Sequence, residues 1–101
     1  MSELEDILKY CSGFEWDEGN GTKNGQKHQV SKGEAEQVFF NEPLLIFDST
    51  GLQEKRYLAL GTTNKERLLA IIFTVRKRKL VRVISARNMS RKERNAYGKE
   101  K

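Results

Sequence analysis

Apolar and polar residues alternate through the second half of the chain in a pattern that predicts four β-strands. The predicted strands cover residues 44–48, 55–61, 68–75 and 80–87. The third is apolar at nearly every position, so we expect it at the centre of a sheet with both faces covered. Short turn-like segments connect the strands. This favours an antiparallel meander, because strands joined by short connections pair as neighbours.

Helices are predicted where a serine is followed three residues later by a glutamate, the capping-box pattern of a helix N-terminus. The pattern occurs at Ser2 with Glu5, Ser31 with Glu34 and Ser90 with Glu93. The helices that it predicts cover residues 2–11, 32–40 and 90–97. Gly98 is expected to end the last helix and to leave residues 98–101 as a frayed basic tail.

The segment between the first two capping boxes is predicted to form a short strand and a weak helix. Residues 14–16 form the strand, and Asp17 caps a helix over residues 18–28. Three glycines lie within that helix, and each costs about 1 kcal/mol relative to alanine. Tertiary contacts are therefore needed to hold this helix in place.

Length and composition predict one small domain over residues 1–101, with no bound metal or cofactor. A chain of this length supports a single hydrophobic core. One cysteine, Cys11, and one histidine, His28, cannot make an internal disulfide or a structural zinc site. No apolar run has membrane-spanning length, and the first residues lack the pattern of a signal peptide. We therefore expect a cytoplasmic protein.

The net charge of +5 conceals a strong asymmetry between the two halves of the chain. Residues 1–50 hold 4 Lys and Arg against 10 Asp and Glu, whereas residues 51–101 hold 15 against 4. The basic half is suited to a polyanion such as RNA, and the acidic half to a basic partner. A charge pattern that serves only solubility is the alternative.

Three polar residues interrupt otherwise apolar strands and are the candidates for catalysis: Arg56, Thr74 and Arg82. Strand alternation places Arg82 on the same face as Ile84 and Ala86, opposite to the predicted core. That core face carries Tyr57, Ala59, Ile71, Phe73, Val75, Val81 and Val83. An odd number of hairpin-loop residues would bring Thr74 and Arg82 to one face, and an even number would separate them.

An arginine in the middle of a strand requires solvent, a carboxylate or a ligand. Either Arg82 binds a phosphate, or it forms a structural ion pair with Glu54 or Glu93. The charged hairpin tip formed by Arg76, Lys77, Arg78 and Lys79 either attracts RNA or keeps a turn soluble.

Two further residues have both a chemical and a structural interpretation. His28 has the ordinary pKa best suited to proton transfer near neutrality, whereas a surface or capping role is the alternative. Trp16 is able to stack on a base, but its position between a strand and a cap favours the core.

Several motifs together resemble the BrnT family. Phe14-Glu15-Trp16-Asp17 resembles the opening signature of that family, and Asn24, Lys27 and His28 follow its N-x-x-K-H spacing. The segment from Arg56 to Gly61 resembles an R-x-x-x-L-G strand, and Thr74 with Arg76 fits T-x-R. The segment from Arg82 to Arg87 is close to R-I-I-S-A-R. Arg91, Glu93 and Tyr97 fit a basic C-terminal helix. The resemblance covers about residues 14–97 and leaves residues 1–13 as an N-terminal helical extension.

The resemblance implies an α+β, RelE-like fold in which helices pack mainly on one face of a twisted antiparallel sheet. It implies the toxin of a type II toxin–antitoxin pair, an endoribonuclease that inhibits translation. The implied partner is a BrnA-like antitoxin, in a hetero-oligomer with two copies of each chain, which supplies any contact with DNA.

Cleavage through the 2′-OH of the RNA needs positioned positive charge and proton transfer but no metal. The expected catalytic residues are Arg56, Thr74, Arg82, His28 and Tyr97. The expected RNA-binding residues are Lys27, Arg76, Lys77, Arg78, Lys79, Arg87 and Arg91. A non-catalytic module that binds nucleic acid or antitoxin is the alternative function.

Overall fold

The computed structural model describes Cys11 and residues 13–16, 29–49, 55–76 and 79–100. The helices predicted over residues 2–11 and 18–28 lie outside the described residues. So do four of the predicted site residues: Lys27, His28, Lys77 and Arg78.

Five strands form one sheet: β1 (Gly13–Glu15), β2 (Leu45–Asp48), β3 (Tyr57–Thr62), β4 (Leu68–Val75) and β5 (Leu80–Asn88). Their order across the sheet is β1-β5-β4-β3-β2. The strands from β2 to β5 form the predicted antiparallel meander, and the apolar β4 is central, as expected. The prediction of a wholly antiparallel sheet is wrong, because β1 pairs with β5 in parallel. A parallel pair cannot be joined by a tight turn, and β1 and β5 are separated in the chain by the whole meander.

Two helices are described, α1 (Lys32–Val38) and α2 (Arg91–Glu100). Of the three predicted capping boxes, the two in the described part of the chain are formed: Ser31 and Glu34 exchange side chain–backbone hydrogen bonds at α1, and Ser90 and Glu93 do so at α2. The prediction that α2 ends at Gly98 is wrong, since the helix continues to Glu100. Neither helix in the described part of the chain is long and apolar enough to cross a membrane.

The main core lies between α1 and one face of the sheet. Ala35 and Val38 of α1 are buried there against the predicted core face. Six of the residues predicted for this face are buried, and Val75 packs against them: Tyr57, Ala59, Ile71, Phe73, Val81 and Val83. Gly61 permits the close approach of α1, because a Cβ there would lie 2.8 Å from Val38 Cγ1.

The opposite face carries α2 at one end. Tyr97 of α2 is buried with Leu60, Ala70 and Met89 in a second, smaller cluster. Leu60 and Ala70 alternate with the core residues Ala59 and Ile71, so α1 and α2 lie on opposite faces. The two described helices therefore lie on opposite faces of the sheet, and the expectation that helices pack mainly on one face stays a prediction, since the other two predicted helices lie outside the described residues.

A β-bulge at Ile84 changes which residues of β5 share a face. Ile72 pairs with Ser85, and the next residue, Phe73, pairs with Val83, so Ile84 is the extra residue. The prediction that Arg82 shares a face with Ile84 and Ala86 is therefore wrong. Arg82 shares a face with Ser85 and Arg87, whereas Ala86 is fully buried in the main core.

Candidate nucleic-acid interface

A row of polar side chains crosses the sheet on the face that carries α2, at the end away from that helix. Thr74 of β4 pairs with Arg82 of β5, and Arg82 pairs with Glu15 of β1. Arg56 precedes β3 and lies by alternation on the same face as Thr74. We call Arg56, Thr74, Arg82 and Glu15 the charged row. The open question of the hairpin register is thus settled: Thr74 and Arg82 share a face.

Glu15 links two arginines at the β5 end of the charged row. Its Oε1 accepts a hydrogen bond of 2.8 Å from Arg82 Nη1 and a longer one of 3.4 Å from Arg76 Nε. All three side chains are partly exposed, from 21% for Arg82 to 48% for Arg76. The site thus holds two guanidinium groups around one carboxylate oxygen, at a place that solvent reaches.

Glu15 is therefore the ion-pair partner of Arg82 in the described part of the chain. Of the two carboxylates considered from the sequence, Glu93 pairs with Arg87 instead, and Glu54 lies outside the described residues. Glu15 belongs to the motif Phe14-Glu15-Trp16-Asp17. Its pairing with Arg82 could not be predicted, because the two residues are far apart in the sequence and meet only through the parallel pairing of β1 with β5.

Thr74 anchors the chain beside Arg56. The side chain of Thr74 is buried, and its hydroxyl donates a hydrogen bond of 2.8 Å to the carbonyl oxygen of Lys55. Since Lys55 directly precedes Arg56, this bond fixes the backbone from which the Arg56 side chain extends. Arg56 itself is exposed.

A second row on the same face is apolar and lies between the charged row and α2. Phe47 of β2 pairs with Leu58 of β3, Leu58 pairs with Ile72 of β4, and Ile72 pairs with Ser85 of β5. Phe47 is 43% exposed, and its neighbours Leu58 and Ile72 are partly exposed. We call Phe47, Leu58 and Ile72 the apolar row. Sequence reasoning missed Phe47, since one phenylalanine in an edge strand carries no special pattern.

Arg87 belongs to the row beneath α2 and is bound to that helix. Its Nη1 and Nη2 atoms contact the two carboxylate oxygens of Glu93 at 2.6 and 3.0 Å. The Arg87 side chain, together with the backbone amide of Ser90, lowers the pKa of Glu93 to about 2. Glu93 raises the pKa of Arg87 in return. This bidentate pair ties α2 to the end of β5.

Tyr97 is buried beneath α2, with 1% of its surface exposed. Its hydroxyl donates a hydrogen bond of 2.6 Å to the carbonyl oxygen of Pro43. A proton donor to RNA has to reach solvent, and this side chain does not. The geometry favours a structural role for Tyr97 over the catalytic one predicted from the sequence.

Lys79 and Arg91, two further predicted RNA-binding residues in the described part of the chain, are both exposed. Lys79 is exposed at the β4–β5 hairpin and adopts a positive φ of 61°, and its backbone amide donates to the Arg76 carbonyl at 2.9 Å. Arg91 is exposed in the first turn of α2. The described part of the hairpin tip thus places Arg76 and Lys79 next to the charged row.

Two conspicuous residues have structural contacts elsewhere. Trp16 packs against the main core and donates a hydrogen bond of 2.7 Å to Glu36, as the core interpretation predicted. Arg67, which sequence reasoning did not single out, contacts Glu34, Asn88 and the Gln29 carbonyl. It joins the start of α1 to the end of β5.

A known protein family matches most of the chain. A family model described as BrnT, the ribonuclease toxin of type II toxin–antitoxin systems, matches residues 16–93. The match includes Arg56, Thr74, Arg82 and the apolar row, whereas Glu15 directly precedes it. A search of curated proteins found no matching relative.

Proposed function

The chain belongs to the BrnT family of type II toxin–antitoxin ribonuclease toxins, and from this premise we propose that it is an endoribonuclease of single-stranded RNA, in particular mRNA. Cleavage would stop translation and growth until an antitoxin binds the toxin. The observation that carries the proposal is the charged row, which places Arg56, Thr74 and Arg82 side by side on one solvent-accessible face.

The charged row supports a mechanism in which the RNA supplies its own nucleophile. The 2′-OH attacks the adjacent phosphorus and gives up its proton, the P–O5′ bond breaks, and the leaving 5′ oxygen takes up a proton. During this step negative charge develops on the non-bridging phosphate oxygens. Arg82 and Arg56 would hold that phosphate and stabilise its charge, because fixed donors aimed at developing charge lower the barrier most. The phosphate would take the place of Glu15 at Arg82.

Thr74 has a positioning role in this proposal. Its hydroxyl already donates to the Lys55 carbonyl, so it acts through the backbone that carries Arg56. His28 remains the proposed group for proton transfer and Lys27 a proposed phosphate contact, both on the basis of residue type and family motif.

The partner and the wider setting also belong to the proposal. Membership in a type II toxin–antitoxin family implies an antitoxin. We propose a BrnA-like protein in a complex with two copies of each chain, located in the cytoplasm, where its RNA substrate is. The meander of β2 to β5 with packed helices supports a RelE-like fold.

The alternative is a module that binds RNA or antitoxin without cleaving. Spread positive charge is enough for binding, whereas cleavage needs particular arginines held together. The hydrogen-bonded placement of Arg82 and Arg76 around one carboxylate oxygen favours the nuclease.

The proposal is tested by expressing the chain alone under tight control, with and without the protein encoded by the adjacent gene. Growth arrest and RNA fragmentation are expected without that protein and recovery with it. Purified chain should cleave single-stranded RNA and should fail on the same sequence with 2′-O-methyl groups. Intact RNA and normal growth in every case would refute the nuclease and favour the non-catalytic alternative.

A further inference from the structure

Phe47 is an exposed aromatic ring on the same face as the charged row. Phe47 and Phe40 are the two large apolar side chains that are exposed in the part of the chain that the structure describes. Phe40 lies with its ring centroid 6.0 Å from that of Phe14, at the end of α1. Phe47 stands instead on edge strand β2, beside Leu58.

We propose that Phe47, supported by Leu58 and Ile72, is a stacking platform for one unpaired base of the RNA. The inference rests on the proposed function and deepens it, because it assigns base recognition to the apolar row and phosphate binding to the charged row. Single-stranded RNA is commonly bound in this way, with splayed bases on aromatic side chains and phosphates on positive charges.

The spacing of the two rows suits one strand of RNA. Residues two apart in a strand lie about 6.6 Å apart on the same face, so Leu58 lies next to Arg56, and Ile72 lies next to Thr74. A base on Phe47 and Leu58 therefore leaves its backbone beside Arg56, and Arg82 lies further along the charged row, on β5. An aromatic ring that is 43% exposed to water costs hydration free energy, which a stacked base would recover.

Charge complementarity selects RNA as the occupant. Arginines border the apolar row on both sides: Arg56, Arg76 and Arg82 outnumber Glu15 at one end, and Arg87, paired with Glu93, lies at the other. An apolar protein segment would fill the row equally well but would gain nothing from these arginines. A surface that binds the antitoxin is therefore an outcome of the test and not the proposal.

The test compares Phe47→Ala with Phe40→Ala, which removes the other exposed ring. Two probes are used with the full chain: a short single-stranded 2′-O-methyl oligonucleotide, which resists cleavage, and inorganic polyphosphate, which has no bases. Phe47→Ala should weaken oligonucleotide binding by about five- to a hundred-fold. It should leave polyphosphate binding unchanged, and Phe40→Ala should change neither.

Two conservative variants keep the test valid if Phe47→Ala folds poorly. Phe47→Trp retains a stacking ring and should bind the oligonucleotide as the wild type does. Phe47→Leu retains apolar contact without the ring and should stay weak. Wild-type binding by Phe47→Leu, or equal loss on both probes in every variant, overturns the platform.

The remaining outcomes separate this inference from the proposed function. A wild type that cleaves RNA, with Phe47→Ala binding the oligonucleotide normally, overturns the platform and leaves the nuclease. A wild type that binds but never cleaves, with Phe47→Ala weakened, supports the platform and refutes the nuclease. Loss of antitoxin binding with normal oligonucleotide binding makes the row a protein interface and overturns the platform.

Discussion

Arg82 donates a hydrogen bond of 2.8 Å to the carboxylate of Glu15, its register partner on the neighbouring parallel strand. The same oxygen of Glu15 also accepts from Arg76. Both members of the Arg82–Glu15 pair are partly exposed, so water screens their attraction. A phosphate that approaches from solvent can replace the carboxylate at modest cost. The pair thus holds Arg82 in position without sequestering it.

We expect Arg82→Ala to reduce RNA cleavage by about a hundred- to a thousand-fold, because a charge-stabilising donor is lost. The free energy of unfolding should fall by only about 1 kcal/mol, since Glu15 stays hydrated and keeps Arg76 nearby. Cleavage kinetics and thermal unfolding measure the two effects. Arg94→Ala, an exposed arginine on α2, is the matched control and should change neither. A large loss of stability with normal cleavage would assign Arg82 to structure alone.

The sequence predicted the centre and the core face of the sheet better than the direction of β1 and the bulge in β5. The almost wholly apolar β4 indicated the centre of the sheet, and alternation identified the core face from Tyr57 to Val83. Two features escaped it because they depend on tertiary pairing. The three residues of β1 carry no mark of direction, and Ile84 looks like any other alternating apolar position although it is a bulge. The bulge moved Ala86 into the core and left Arg87 facing α2.

The sequence predicted the site as a set of residue types. The structure shows which of these side chains lie on the open face and which are already bound to other groups of the fold. Arg56, Thr74 and Arg82 were predicted together, and they lie in one row. Tyr97 and Arg87 looked equally suitable in sequence, yet one is buried on Pro43 and the other is bound to Glu93. Composition and spacing do not report which polar groups already have partners in the fold.

Tyr97→Phe should leave RNA cleavage within about two-fold of the wild type while lowering the free energy of unfolding by about 1–2 kcal/mol. The change removes the hydrogen bond to the Pro43 carbonyl and keeps the ring that packs on Leu60 and Ala70. Denaturant unfolding and cleavage assays give the two values. Collapse of cleavage in a stable variant would restore the catalytic role predicted from the sequence.

Neutralising the hairpin tip should flatten the salt dependence of RNA binding, because fewer counterions are released. The variant combines Arg76→Ala, Lys77→Ala and Arg78→Ala with Lys79→Asn. Asparagine is chosen because Lys79 has a positive φ, which asparagine tolerates. The slope should decrease by up to about three. The charge-matched control replaces four exposed cations elsewhere by alanine: Lys65, Lys92, Arg94 and Lys99. An equal change of slope in the control would show that the hairpin tip acts only through the overall charge of the protein.

The Glu93–Arg87 pair should make folding sensitive to acid. The hydrogen bonds from Arg87 hold the pKa of Glu93 at about 2 in the folded chain, below its ordinary value of 4.5. The folded state therefore gains stability above pH 4.5 and loses it as the pH falls towards 2. Glu93→Gln should be less stable than the wild type at pH 7 by about 1–2 kcal/mol, after solvent screening is allowed for. The difference should shrink to nearly nothing at pH 2. Glu34, whose pKa is also lowered, is present in both proteins and cancels from the difference. Denaturant unfolding between pH 7 and pH 2 measures this gap, and a gap that stays constant with pH would show that the ion pair does not stabilise α2.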